Sequence, residues 1–160
     1  MTKTLTRWWA FLWAAFAAVA MAQSPAPTPP DPTDGAALWQ QANSAARAGR
    51  SADALALFET AEPLLGDQIE FAVDHARTLG IAGARAHNTA WLNSAYARFA
   101  RIQALAPQHT HNLQNWAITL FLTGQYQEAW RKVKQAEATP GWTTLDPEFL
   151  NALRSKMPRP

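Results

Sequence analysis

Small residues recur down this chain at two interlocking spacings, and that recurrence restricts the fold more than any other feature. Ala54, Phe58 and Ala61 step by 41 residues to Ala95, Phe99 and Ile102, then by 34 to Ala129, Val133 and Ala136. Leu38, Ala42 and Ala45 step in the opposite order, by 34 to Ala72, Ala76 and Leu79, then by 41 to Leu113, Ala117 and Leu120. Inside each set the residues lie three or four apart, which places them on one face of a helix. A 34-residue unit of two helices, used three times, explains both series if seven extra residues interrupt the middle unit near Gly80–Ala86. Alanine at the crossing lets two helix backbones approach, and the larger residue four places on fills the space beside it. No segment alternates as a strand would, so the expectation is an all-α fold.

Ala48–Ala61 (AGRSADALALFETA) and Thr123–Ala136 (TGQYQEAWRKVKQA) carry the turn and second helix of such a unit most clearly. This pattern resembles the tetratricopeptide repeat (TPR). Pro107 matches the family's closing proline, and Pro140 lies one place early. Ala42, Ala76 and Ala117 stand where the family usually has glycine, and the first unit lacks the usual tryptophan. The resemblance spans residues 35–143, as repeats 35–68, 69–109 and 110–143. It implies a right-handed α-solenoid of three hairpins, with residues 144–160 forming a capping helix and tail. It also implies that the first helix of each pair lines a groove for a protein or peptide. Carried over residue by residue, the groove positions are Trp39 and Asn43, then Val73 and Arg77, then Gln114, Ile118 and Phe121. Trp39, Ile118 and Phe121 would be apolar anchors; Asn43, Arg77 and Gln114 would hydrogen-bond a backbone or carboxylate. The competing expectation is that Trp39 and Phe121 pack beneath the linker or the last helix.

Punctuation along the chain divides the helices. Asp34 and Ser51 are expected N-caps, Gly49 a stop, and Pro63 the end of the second helix. Gly80 should close the third helix, leaving Gly80–Ala86 as a loop that could modify the binding face. Asn88 should cap the fourth helix and Thr110 the fifth, which Gly124 ends. Asp146-Pro147-Glu148 combines an N-cap, a proline at the first helical position and an early acid.

The N-terminus reads as a separate element. Lys3 and Arg7 precede an apolar run from Trp8, and Ala20-Met21-Ala22 offers small residues at a cleavage site before Gln23. Residues 1–22 are therefore expected to be a secretory signal peptide, which places the mature protein in the periplasm. Retention of the segment as an inner-membrane anchor is the alternative. Residues 23–34, with five prolines from Pro25 to Pro32, form an extended linker.

Removing Lys3 and Arg7 cancels the formal charge of +2, so no general affinity for nucleic acid or anionic lipid is expected. The charge is uneven, however: residues 31–74 hold eight acids against Arg47 and Arg50, and residues 75–134 hold seven bases against Glu128. The chain has no cysteine, which removes disulfides and thiol chemistry. Its four histidines lack the i, i+4 spacing of a metal pair. Glu59/Glu62 and Asp67/Glu70 are carboxylate pairs with no sign of a pocket to separate their pKa values. The sequence thus points away from an enzyme, a cofactor and a metal, and toward a scaffold or adaptor in a bacterial envelope complex.

Overall fold

The computed structural model describes residues 33–142 and 145–157; the expected signal peptide and nearly all of the expected linker lie outside the described residues. The described residues form seven α-helices and no strand: α1 (Gly35–Arg47), α2 (Ser51–Leu65), α3 (Ile69–Ala86), α4 (Thr89–Leu105), α5 (Thr110–Leu122), α6 (Tyr126–Glu137) and α7 (Pro147–Lys156). Packing is closest within the pairs α1/α2, α3/α4 and α5/α6, and α3 touches both α1 and α5. The fold is all-α and repeat-like.

All but one of the matched positions are buried. Ala42, Ala76 and Ala117 are completely buried, as are Ala54, Ala95 and Ala129, and Phe58, Phe99 and Val133. Leu38 and Leu113 are buried too, whereas Ala72 is half-buried because its neighbour Phe71 takes the core. Three successive clusters result. Phe58 and Phe71 centre the first, Phe99 the second, and Val133 the third, into which α7 inserts Leu150 and Leu153. Across the last two, Trp116 stacks on Phe99 at 5.8 Å and carries the Lys132 ammonium 3.6 Å over its face.

The turns inside the three pairs are the same turn. Gly49 and Arg50 donate their amides to Ala46 and Ala45. His87 and Asn88 donate to Ala84 and Gly83, and Gly124 and Gln125 to Phe121 and Leu120. Each turn puts its first donor in the left-handed region, with φ of +75°, +51° and +79°. Glycine adopts that conformation freely; His87 does so at a cost of about 1 kcal/mol. His87→Gly should therefore raise the unfolding free energy by about 0.5–1 kcal/mol, after allowing for glycine's greater freedom when unfolded. Chemical denaturation would measure it, and an unchanged midpoint would show that His87 is not strained.

The position of that middle turn corrects the expected loop at Gly80–Ala86. From Ala45 to Gly49, and from Leu120 to Gly124, is four residues; from Leu79 to His87 is eight. From each turn residue to Ala54 or Ala129 is five residues, but from His87 to Ala95 it is eight. The seven extra residues are thus divided, four to the end of α3 and three to the start of α4. Each share is about one helical turn, so the middle hairpin is about 5 Å longer than its neighbours. Gly80 does not end α3, because it faces a neighbouring helix. A Cβ there would lie 2.3 Å from Thr119 Oγ1 on α5. At Gly83 it would meet Leu92 Cγ and backbone N of α4, each at 3.0 Å.

Smaller differences concern the caps. Pro63 does not stop α2, which runs on to Leu65; a proline in the last turn forfeits only one helical bond. Asp34, Asn88 and Asp146 cap as expected, accepting from Ala37, Trp91 and Glu148 amides. His109, rather than Thr110, caps α5, its Nδ1 accepting from the Asn112 amide at 3.3 Å. Ser51 is the first residue of α2, and that helix has no side-chain cap.

Candidate functional site

Three of the expected groove residues converge, and the group that gathers them is an acid. Asp74 Oδ2 accepts from Trp39 Nε1 at 2.9 Å and from Asn43 Nδ2 at 2.8 Å. Arg77 donates to Asn43 Oδ1 at 3.3 Å and lies 3.5 Å from Asp74 Oδ1. Trp39 and Asn43 sit four apart on α1, and Asp74 and Arg77 three apart on α3, so helical geometry brings one half-exposed edge from each. The network joins the first helices of adjacent pairs. The Trp39 ring also meets Phe71 edge-on at 5.9 Å, which fixes the indole.

The other groove positions separate from this network. Val73 is a correction: only 2% exposed, it packs in the second cluster beside Ala76 and Leu79. Register explains the error, because Phe71 and Val73 both turn inward and leave Asp74 on the edge that Val73 was expected to occupy. On α5, Gln114 and Ile118 are half-exposed. Phe121 lies against Tyr126 at 5.6 Å and Phe149 of α7 at 5.4 Å. It therefore packs beneath the last helix, the competing expectation for that residue. Trp39 and Phe121 belong to different clusters.

A second polar group joins α2, α3 and α4. His75, 2% exposed, stacks on Phe58 with ring centroids 5.0 Å apart and its Nδ1 lies 2.8 Å from Glu62 Oε2. Arg98 holds the other carboxylate oxygen at 2.7 Å. Burial, followed by the charge of Arg98, pushes the His75 pKa down to about 4, despite the opposing pull of Glu62. The imidazole is neutral near pH 7, so its Nδ1 carries the hydrogen and donates to the carboxylate. Burial alone would raise the Glu62 pKa, but the hydrogen bonds and charges of Arg98 and His75 together hold it below the usual carboxylate range. The group is a structural tie: His75 is buried, while Glu62 and Arg98 are partly exposed and engage each other.

These contacts also account for part of the uneven charge. Glu62 of the acidic portion engages Arg98 of the basic one, and Glu70 engages His109 at 2.9 Å. No sequence signal marks Asp74 as the centre of the exposed network, because its three partners lie on two helices and only the pairing of α1 with α3 unites them. Among the described residues, no group of three or more histidines and carboxylates is arranged to hold a metal ion. No known family, curated protein or solved structure matches this chain.

Proposed function

We propose that the chain is an exported adaptor that binds a protein or peptide segment along the edges of α1, α3 and α5. In this reading the three helix pairs form a right-handed, TPR-like solenoid. The observation that carries it is the common burial of Ala42, Ala76 and Ala117 together with the three identical turns. Repeated packing of that kind sets the first helices of successive pairs side by side and leaves one edge of each to solvent.

The chemistry of that edge narrows the ligand. Trp39, Asn43 and Arg77 already serve Asp74, so they are poorly suited to grip a peptide's terminal carboxylate; a second carboxylate would have to displace the first. Ile118 is half-exposed and lies in none of the buried clusters, which makes it the better apolar anchor. Binding would then rest on Ile118, with Gln114 and the fixed polar edge around Asp74 setting register. Periplasmic export, and a place in an envelope assembly or maturation complex, follow from the reading of residues 1–22 and the TPR resemblance. A membrane-tethered structural subunit differs from this only in keeping the N-terminal segment, and the mass of the mature N-terminus separates the two.

A photo-crosslinker at position 118, used in cells, should trap a discrete partner, while the same probe at Ala97 on α4 should not. Ile118→Glu should weaken binding of the trapped partner at least about tenfold, the cost of burying a carboxylate where a methyl group fitted. Equal trapping at both positions, or unchanged binding by Ile118→Glu, would remove this edge as the binding surface.

A further inference from the structure

The added turn of α3 borders a recess at the α1–α2 turn. Because α3 overhangs the α1–α2 turn, a recess of about 90 Å³ forms beneath it. Ala46 and Arg47 from the end of α1, Ser51 from the start of α2, and Arg77, Thr78, Ile81, Ala82 and Arg85 from α3 line it. Three arginines line this one small space and no carboxylate residue does, although Arg77 also lies 3.5 Å from Asp74 Oδ1. Arg47 and Arg85 have no ion pair among the described residues, and the Nε of Arg77 is buried without a hydrogen-bond partner.

Arrangements of like charge repel unless something of opposite sign sits among them. Helix-end carbonyls do not supply it here. At the end of α1 the carbonyls of Ser44, Ala45 and Ala46 accept from the amides of Ala48, Arg50 and Gly49. What remains are donors. Besides the guanidiniums there is the Ser51 hydroxyl and the first turn of α2, whose amides have no side-chain cap. Asp53, the acid of that turn, is tied to Arg50 at 3.1 Å, and Asp74 is shared among Trp39, Asn43 and Arg77, which leaves Arg47 and Arg85 without a carboxylate among the described residues.

We propose that this recess binds a single phosphate group, either free or carried as a monoester on a small soluble molecule. Arginine forks match the oxygens of a tetrahedral anion in pairs; Arg47 and Arg85 would supply the forks, and Arg77, whose terminal nitrogen is held by Asn43 and Asp74, would add its unpartnered Nε. The volume suits a group of a few heavy atoms and is far below the roughly 300 Å³ of a drug-sized pocket. Arg85 comes from the added turn of α3, so the same insertion that lengthens the hairpin supplies one wall of the site. Arg77 borders both this recess and the polar edge around Asp74, but the two readings are tested apart, since Arg47 and Arg85 lie outside that edge and Ile118 takes no part in the recess.

Calorimetric titration of the full chain with inorganic phosphate at low salt should give saturable binding to one site. Arg47→Gln and Arg85→Gln should each weaken it at least about tenfold, the usual loss for a charge-assisted hydrogen bond. Arg131→Gln on α6 should leave it unchanged. Ile81→Glu, which places a carboxylate in the recess, should abolish binding while helix content by circular dichroism stays the same. Glycerol phosphate should bind as phosphate does, and acetate far more weakly. The proposal is overturned if millimolar phosphate gives no saturable binding, or if Arg131→Gln weakens it as much as Arg85→Gln. Binding to phosphatidylglycerol vesicles without binding to phosphate overturns it as well, and would make the arginines a membrane contact.

Discussion

Acidification from about pH 7 to about pH 4 should lower the stability of the folded chain by about 3 kcal/mol through His75. Its pKa is about 4 when folded against an ordinary 6.5, so between those values the unfolded chain binds a proton that the native chain refuses. Stability from this source is complete above the ordinary value and disappears as the pH falls toward the folded one; each unit of difference is worth about 1.4 kcal/mol. Glu62 acts in the same direction at lower pH, because its folded carboxylate is favoured and must be protonated as the chain unfolds. His75→Gln keeps a donor for Glu62 but removes the titration. Denaturation midpoints for the two proteins at several pH values are the test: the wild-type curve should fall steeply between about pH 6.5 and pH 4, and the Gln curve should be much flatter. Parallel curves would mean that His75 is solvated rather than buried.

Gly80→Ala should destabilise the protein by about 2 kcal/mol, although helix propensity taken alone argues for a gain of about 1 kcal/mol. The reason is the approach of α5. The new methyl would lie 2.3 Å from Thr119 Oγ1 and 2.8 Å from its Cγ2. Thr119 cannot swing aside cheaply, since it is completely buried, β-branched, and donates to the Asn115 carbonyl at 3.0 Å. Overpacking of this kind typically costs 1–3 kcal/mol beyond any propensity gain. Thr119→Ala removes both clashing atoms, so the double variant should recover at least about 1 kcal/mol relative to the sum of the single changes. A stabilising Gly80→Ala would place α3 and α5 farther apart than described and would also undermine the overhang that shapes the arginine recess.

The sequence by itself determined the helices and their buried faces. Alanines three and four places apart, recurring at 34 and 41 residues, are local and periodic signals, and the burial of Ala42, Ala76, Ala95, Ala117 and Ala129 follows from them. Asp34, Asn88 and Asp146 were legible as caps because a cap is satisfied within its own helix. Ala72 and Val73 were misplaced for the opposite reason: either of two adjacent apolar residues fits the period, and only neighbouring helices choose between them.

Tertiary structure decided everything that depends on a partner far along the chain. Gly80 reads as a stop in isolation and becomes a contact only when Thr119, thirty-nine residues away, is packed against it. The seven extra residues read as a loop, but a helical turn takes three or four at a time, and closing the hairpin at His87 lets both helices keep their backbone bonds. Asp74 gathers Trp39, Asn43 and Arg77 because α1 and α3 lie side by side. Periodicity fixes which face of a helix is apolar; it carries no information about which distant side chain that face, or its edge, will meet.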